Sequence, residues 1–469
     1  MKLNITIDRS IIRQLITVAL PLTIASTGTL ILQLADAFFL ARYSPDALAA
    51  MGPSGIFSWL YVSLFNGTIG YSTALVAQAY GRKEYPRIGA LVWQGMYLAL
   101  ACSAVLIACV PWAMQLFRLM GHEPGILAME KDYFRILAYG YPLGLVNMAL
   151  TGFYAGRGET RPIMVVQLIR ICVNILFDWL LIFGEWGFPR VGIAGAAYAT
   201  IVAEAVSVSL MASLVFQKKW RSEFALHAVP PAWRDWRLYF VFGLPSGVRV
   251  FFETMAWTAF VFFVGRVSAT AVAATSVVFR LNTLTFFPIL GMGEAIKVLV
   301  GQATGRRASG YAERIIWHGF GISEVWMLLC AVMFLLIPRT LFGFFAPSGV
   351  EESVVRFADV SALGVVLLRY VVVYSLVDSA NVALAMGLQG AGDTQWSMKW
   401  SLVLHASMIT ALFMGDTVYP KVMAALFDVC VHPNVHTTWI IGTVFTFISA
   451  AAWIWRLRHG GWRNVVVLD

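Results

Sequence analysis

Acidic and amide side chains interrupt the most apolar stretches of this chain. Asp36 lies inside the first long apolar run, and Asn174 and Asp178 lie four residues apart in the fifth, on one face of a helix. An ionised side chain inside a membrane helix costs about 2.5 to 3.5 kcal/mol, so each one needs a partner or a function. Two carboxylates and an amide oxygen suit a hard cation such as Na⁺, or a proton held between them. The alternative is that Asn174 and Asp178 only join helices by hydrogen bonds.

The second half of the chain places its acids at different positions. Glu253 lies in the seventh apolar run and Asp378 in the tenth, where it shares a helix face with Asn381. Arg249 precedes Glu253 by four residues and is placed to neutralise it, so a site role and a structural ion pair both remain open. A second acid–base pair, formed by residues 294 and 297, is predicted to be structural.

Aromatic residues make up 14% of the chain, and several lie inside the apolar runs rather than at their ends. Rings in such positions can line a cavity that holds an organic cation through its attraction to the ring faces. Taken one at a time, most such residues only pack. The candidates for a substrate cavity are Phe251, Phe252, Trp257, Phe286 and Phe287.

The composition indicates an all-α integral membrane protein. Hydrophobic residues are 59% of the 469 residues and charged residues only 13%, too few to cover a soluble protein of this length. The net charge of +9 comes from Lys and Arg in short loops that form no continuous patch. Nucleic acid is therefore not expected as a partner, whereas the lipid bilayer is.

Twelve stretches are long enough to span a bilayer, for which about 20 apolar residues are needed. They cover about 12–40, 47–76, 88–112, 132–155, 160–184, 191–216, 238–264, 272–300, 312–338, 354–388, 395–418 and 436–457. The longest basic, proline-containing connection divides them into an N-terminal lobe (1–216), a linker (217–237) and a C-terminal lobe (238–469). Lys and Arg are roughly twice as frequent on the side that carries both termini and the linker, which predicts that this side is cytoplasmic.

The stretch from Leu20 to Gly95 recurs from Leu244 to Gly319 at a constant offset. Repeated pairs include Pro21 with Pro245, Gln78 with Gln302 and Gly81 with Gly305. Because six spans per copy is an even number, the copies should share one orientation and be related by an axis along the membrane normal. Duplicated halves of this kind are a common plan for transporters, since a site at the seam can open to either side.

Several segments resemble those of the multidrug and toxic-compound extrusion (MATE) family. They are Leu-Ala-Asp-Ala-Phe-Phe around Asp36, Val-Ala-Gln-Ala-Tyr-Gly ending at Gly81, Gly-Arg-Gly-Glu-Thr ending at Thr160, Asn-Ile-Leu-Phe-Asp ending at Asp178, and Gly-Leu-Gln-Gly-Ala-Gly-Asp-Thr ending at Thr394. The resemblance covers residues from about 11 to 394. Beyond residue 394 the chain agrees with the family only in hydropathy.

The resemblance implies a fold and a set of site residues. The fold is twelve transmembrane helices in two pseudo-symmetric six-helix lobes that form a V. The activity is efflux of bulky, often cationic organic compounds in exchange for Na⁺ or H⁺. By position, Asp36, Asn174 and Asp178 match the first-lobe ion site with Thr200 as a polar neighbour, and Glu253 and Asp378 match an acidic pair of the second lobe.

The sequence therefore predicts a monomeric secondary antiporter of the bacterial inner membrane. No cofactor is expected apart from the coupling ion, no metal site apart from possible Na⁺ at the coupling residues, and the only soluble partner is a small organic substrate. The nearest alternative is a flippase for lipid-linked oligosaccharides. An intramembrane enzyme lacks a nucleophile and base at workable spacing, and a channel would conduct ions without any substrate gradient.

Overall fold

The computed structural model describes residues 8–120, 122–346, 356–418 and 434–468, and these ranges contain helices but no strand. The N-terminal half contains α1 (Arg9–Tyr43), α2 (Pro45–Gly70), α3 (Ser72–Gly81), α4 (Tyr85–Leu116), α5 (Pro124–Arg157), α6 (Arg161–Phe183) and α7 (Ile193–Val215). The connection contains α8 (Lys218–Glu223) and α9 (Trp233–Leu238). The C-terminal half contains α10 (Leu244–Gly265), α11 (Ala269–Gly305), α12 (Ser309–Leu336), α13 (Pro338–Gly343), α14 (Phe357–Ala391), α15 (Thr394–Phe413) and α16 (Val435–His459).

Each predicted span coincides with one long helical segment. Two of these segments are composite: α2 and α3 form one rod interrupted at Tyr71, and a π-helical turn at Tyr239–Gly243 joins α9 to α10. Among the described residues, eleven segments are long and apolar enough to cross a membrane. The twelfth, α15, is less apolar because it carries Lys399 and His405, yet it occupies the place in the second lobe that α6 occupies in the first.

The helices pack in the same way in both halves. α1 lies against α6 as α10 lies against α15, α2 against α5 as α11 against α14, and α5 against α7 as α14 against α16. The lobes meet through two equivalent pairs, α1 with α11 and α2 with α10, and through α3 with the last turns of α11. The repeat in the sequence is thus a repeat in space, and the predicted pair of pseudo-symmetric six-helix lobes is confirmed.

The repeated glycines lie where the two lobes touch. A Cβ added at Gly81 would collide with the backbone of Gln302, and a Cβ added at Gly305 would collide with the backbone of Gln78. The two contacts are equivalent, because Gly81 and Gln78 of the first copy correspond to Gly305 and Gln302 of the second. Glycine recurs there because two helix backbones approach each other too closely for any side chain.

The hydrophobic core is shared between the lobes at one end of the molecule only. The largest cluster combines residues of both lobes, such as Leu15 and Ala74 with Ala295 and Leu388. At the opposite end the lobes have separate cores, one of which surrounds Phe260 in the second lobe, while two smaller ones lie in the first. The lobes therefore form a V. Its apex lies at the end that carries the chain termini, the linker and most of the Lys and Arg residues, which is called the arginine-rich end below.

The connection between the lobes is attached to α4. The side chain of Gln94 donates to Pro230 O at 2.8 Å and accepts from Ala232 N at 3.0 Å. Tyr239 donates to Leu91 O at 3.1 Å. These bonds hold the connection against the N-terminal lobe, and the predicted linker boundaries of 217 and 237 stay a prediction.

Candidate functional site

Asp36, Asn174 and Asp178 converge between α1 and α6. With its amide nitrogen facing the carboxylates, Asn174 Nδ2 lies 3.2 Å from Asp36 Oδ1 and 3.3 Å from Asp178 Oδ2. The two carboxyl groups are also within hydrogen-bonding reach of each other. Asp36 is 6% exposed and Asp178 is fully buried. The helix-face spacing seen in the sequence thus produces a closely packed, water-poor triad.

The triad has unused capacity to bind a cation. Asp178 Oδ1 is buried and has no hydrogen-bond partner among the described residues. Two ionised carboxylates at this separation repel each other strongly unless a proton or a cation lies between them. Rotating the Asn174 amide by half a turn would present three oxygens to one point, a donor set that suits a hard cation.

A transition-metal ion does not fit this region. Among the described residues, no group of three or more His, Cys, Asp or Glu side chains could hold a metal ion. The triad offers two carboxylates and one amide, without imidazole or thiolate. Its chemistry therefore matches a proton or a monovalent hard cation better than zinc or copper.

Thr200 and Tyr133 differ in their relation to the triad. The Thr200 hydroxyl donates to Ala196 O in its own helix at 3.1 Å, and no hydrogen bond joins it to the carboxylates. Tyr133 of α5 is buried close to both Asp36 and Asp178. Sequence reasoning missed Tyr133, because nothing in the sequence indicates that its side chain points at α1 and α6.

Arg170 of α6 and Glu204 of α7 form an ion pair beside the triad. Arg170 Nη2 lies 3.0 Å from Glu204 Oε2. Asn147 Nδ2 donates to Glu204 Oε1 at 2.8 Å. Arg170 lies one turn before Asn174 on α6, and its charge also acts on Asp36. Since Glu204 balances the arginine, the two aspartates remain an acidic pair without a full counter-charge.

The acids of the second lobe already have partners. Arg249 Nη1 lies 2.8 Å from Glu253 Oε2, and the Glu253 side chain is 44% exposed. Asp378 accepts a hydrogen bond from Asn381 Nδ2 at 3.1 Å. Glu253 acts electrostatically on Asp378, but no hydrogen bond joins them. The ion pair that the sequence left open for Glu253 is therefore formed.

The aromatic candidates fall into two groups. Trp257 packs edge-on against Phe260 and Phe279, with ring centroids 5.5 and 6.1 Å apart, in the core of the second lobe. All five candidates are half-buried, and four of them lie outside this aromatic cluster: Phe251, Phe252, Phe286 and Phe287. The core packing gives Trp257 a structural role, and a cavity-lining role for all five residues stays a prediction.

Glu294 and Lys297 form the predicted ion pair in α11. Lys297 Nζ lies 2.5 Å from Glu294 Oε2, and the lysine is buried while the glutamate is partly exposed. Burial of an ammonium group requires such a partner, because an uncompensated charge there would be very costly.

One family model, described as MatE, matches the chain twice, at residues 21–180 and 245–413. The chain belongs to the MATE family. The two matches begin at the repeated Pro21 and Pro245, so each lobe contains one copy of the family unit. The second match continues to the end of α15, which corrects the limit of the resemblance at residue 394. As a MATE protein, the chain is a multi-pass membrane transporter.

Similar proteins match this MATE chain over most of its length. A Thermotoga maritima protein named probable multidrug resistance protein NorM is 27% identical over 387 residues, which cover 81% of this chain and 80% of that protein. An Aromatoleum aromaticum protein of the same name is 26% identical over 445 residues, which cover 94% and 92%.

Solved structures show the same fold. One, described as the outward-facing conformation of a multidrug resistance MATE family transporter, has a TM-score of 0.83 at 19% identity and covers 96% of both chains. Another, a Pyrococcus furiosus transporter whose binding pocket of reversed polarity is said to suggest a different function, has a TM-score of 0.81 over the same shares at 19% identity. These likenesses agree with the V of two six-helix lobes.

Proposed function

We propose that this MATE protein is a secondary antiporter that exports bulky organic compounds in exchange for H⁺ or Na⁺ bound between Asp36 and Asp178. The observation that carries the proposal is the buried contact of these two carboxyl groups, with Asn174 bridging them. Such a pair is stable only with a positive ion or a proton present. The coupling ion is thus bound at the point where it relieves the repulsion between the two carboxylates.

The first lobe is the better candidate for coupling. Its aspartates keep a negative charge that Arg170 does not fully compensate, because that arginine pairs with Glu204. In the second lobe, Glu253 is neutralised by Arg249 and remains partly exposed. We therefore assign ion coupling to the first lobe, and the recognition of cationic substrates to Asp378, whose hydrogen-bond partner Asn381 is uncharged.

The proposed conformational change is a movement of one lobe of the V relative to the other. If the arginine-rich end is cytoplasmic, as the distribution of Lys and Arg predicts, the described arrangement opens to the outside. Ion binding favours one arrangement of the lobes and substrate binding the other, each only by its differential affinity for the two states. An exchange of one such ion for one monovalent organic cation moves no net charge, so a tenfold gradient of the ion supplies about 1.4 kcal/mol and supports a tenfold export gradient.

The substrate class follows from charge and ring content. Asp378, which has no charged partner among the described residues, and the half-buried phenylalanines suit an organic cation, which is attracted by ring faces and acidic groups. The relatives named multidrug resistance proteins support the same class.

Efflux of a cationic dye from liposomes tests the proposal, with a sodium gradient and a pH gradient imposed separately. We expect one gradient to drive efflux and Asp36→Asn to abolish the response while the protein still inserts and folds. Asp132→Asn is the control, because that aspartate is exposed on α5 and pairs with Arg135. Gradient-driven efflux by Asp36→Asn at the wild-type rate would refute the coupling assignment, and transport of a lipid-linked oligosaccharide without dye efflux would favour the flippase.

A further inference from the structure

A cavity of about 420 Å³ lies at the seam of the lobes, at the arginine-rich end. Residues of α1, α3 and α5 line it from the first lobe, and residues of α11 and α12 from the second. A hydrogen bond from Tyr311 to Gln14 Oε1 crosses between the lobes in its wall, at 3.0 Å. This cavity is far from the carboxylate triad and is not part of the ion site.

The lining of the cavity is cationic. It contains Arg13, Arg157 and Arg306 and no acidic residue. Arg13 and Arg306 are exposed, and neither has an ion-pair partner among the residues that the structure describes. The guanidinium groups of Arg13 and Arg306 thus face a space in which no carboxylate neutralises them.

Arg157 is held in place before any ligand arrives. Its side chain is 2% exposed and its Nη2 pairs with Glu159 at 2.5 Å. The rings of Trp220 and Phe224 lie 4.2 and 4.4 Å from its guanidinium carbon. Its Nε and Nη1 atoms are buried and have no hydrogen-bond partner among the described residues. Arg157 is thus a fixed, buried positive charge behind the cavity wall, and the ligand itself is contacted by the exposed Arg13 and Arg306.

We propose that this cavity binds the phosphate group of an anionic phospholipid from the adjacent leaflet. Guanidinium forks match phosphate oxygens in geometry and charge. Val18, Leu299 and Ile315 form an apolar wall that suits the glycerol and first acyl carbons. The cavity lies near the start of α1 and the end of α11, at the ends of membrane-spanning helices, where basic pockets between helices bind anionic lipids. A soluble phosphate compound shares the headgroup chemistry.

The ligand would join the two lobes. Arg13 belongs to the first lobe and Arg306 to the second, so a phosphate held by both bridges the seam. Such a ligand binds the closed apex better than an opened one and therefore stabilises the described arrangement. This inference does not depend on which ion or compound is transported.

Full-length protein in nanodiscs tests the site through thermal unfolding and native mass spectrometry. The lipid arms are phosphatidylcholine alone and phosphatidylcholine with phosphatidylglycerol, and a soluble arm adds inorganic phosphate to phosphatidylcholine discs. The test variant is Arg13→Gln with Arg306→Gln. The control is Arg9→Gln with Arg307→Gln, which removes the same charge at the same end but leaves the cavity lining intact.

We expect phosphatidylglycerol to stabilise wild type and the control, and to bind the test variant at least about tenfold more weakly because charge-assisted hydrogen bonds are lost. Stabilisation by inorganic phosphate alone, with the same dependence on Arg13 and Arg306, supports the phosphate site with a soluble ligand. Equal stabilisation of test variant and wild type, equal loss in test and control variants, or no stabilisation of wild type by either ligand would each overturn the proposal.

Discussion

Gln78 and Gln302 hold the two lobes together by equivalent hydrogen bonds. Gln78 Nε2 donates to Gly390 O at 2.9 Å, and Gln302 Nε2 donates to Gly156 O at 2.9 Å. Each glutamine belongs to one lobe and each acceptor to the other. The repeated sequence therefore encodes the contact between the lobes as well as the fold of each lobe.

Replacing either glutamine by alanine should weaken the apex to a similar extent. Gln78→Ala and Gln302→Ala each remove one buried bond and leave a buried carbonyl unpaired, at a cost of about 1 to 3 kcal/mol. Thermal unfolding in detergent measures the loss. Gln33→Ala is the control, because that glutamine is exposed on α1. A large effect at one glutamine and none at the other would contradict the equivalence of the two contacts.

Adding a methyl group at the crossing glycines should force the lobes apart. Gly81→Ala and Gly305→Ala place a Cβ against the backbone of the opposite lobe, and overpacking of this kind costs about 1 to 3 kcal/mol. Gly310→Ala is a matched control at the same end, since no atom lies within 4 Å of its added Cβ. Thermal unfolding and dye efflux report the effect. Wild-type unfolding temperature and dye efflux of both test variants would contradict the requirement for glycine at these two contacts.

Removing the partner of Arg170 should weaken the binding of the coupling ion. In Glu204→Gln the arginine loses its charged partner at 3.0 Å and becomes a counter-charge for Asp36. Efflux measured against ion concentration should then require at least about tenfold more ion, because an opposite charge competes with the bound cation. The double variant Arg170→Gln with Glu204→Gln should recover affinity. Unchanged ion dependence in Glu204→Gln would exclude an influence of this pair on the triad.

The ion pair of the second lobe should be dispensable for coupling. Arg249→Gln with Glu253→Gln removes a partly exposed pair, which contributes about 0 to 1 kcal/mol to stability. Gradient-driven efflux should stay within a few-fold of wild type, because the variant leaves the net charge of the lobe unchanged. Gradient-driven dye efflux of the double variant is measured beside that of Asp36→Asn, which should lose it. Complete loss of the gradient response in the double variant would move the coupling site to the second lobe.

The sequence predicted those features that depend on periodicity and local spacing. Hydropathy located the helices, and the separation of four residues placed Asn174 and Asp178 on one face. It also placed Arg249 within reach of Glu253. Each of these relations is set by the geometry of a single helix, so no knowledge of the packing is required.

Relations between helices were harder to predict. Arg170 and Glu204 come from α6 and α7, and only the rotation of the two helices brings their side chains together. The same rotation turns the Thr200 hydroxyl onto its own backbone instead of the carboxylates. The recognisable motifs also underestimated the extent of the family unit, because they end at Thr394 whereas the family match continues to residue 413.

The attachment of the linker to α4 has a mechanical consequence. Because Gln94 fastens residues near Pro230, this stretch must travel with the first lobe when the second one swings. The second lobe would then rotate about Tyr239–Gly243. The π-helical turn there allows the backbone hydrogen bonds to change partners. A spin label at exposed Ser222 would accordingly keep a constant separation from α4 and change its separation from α12 during turnover.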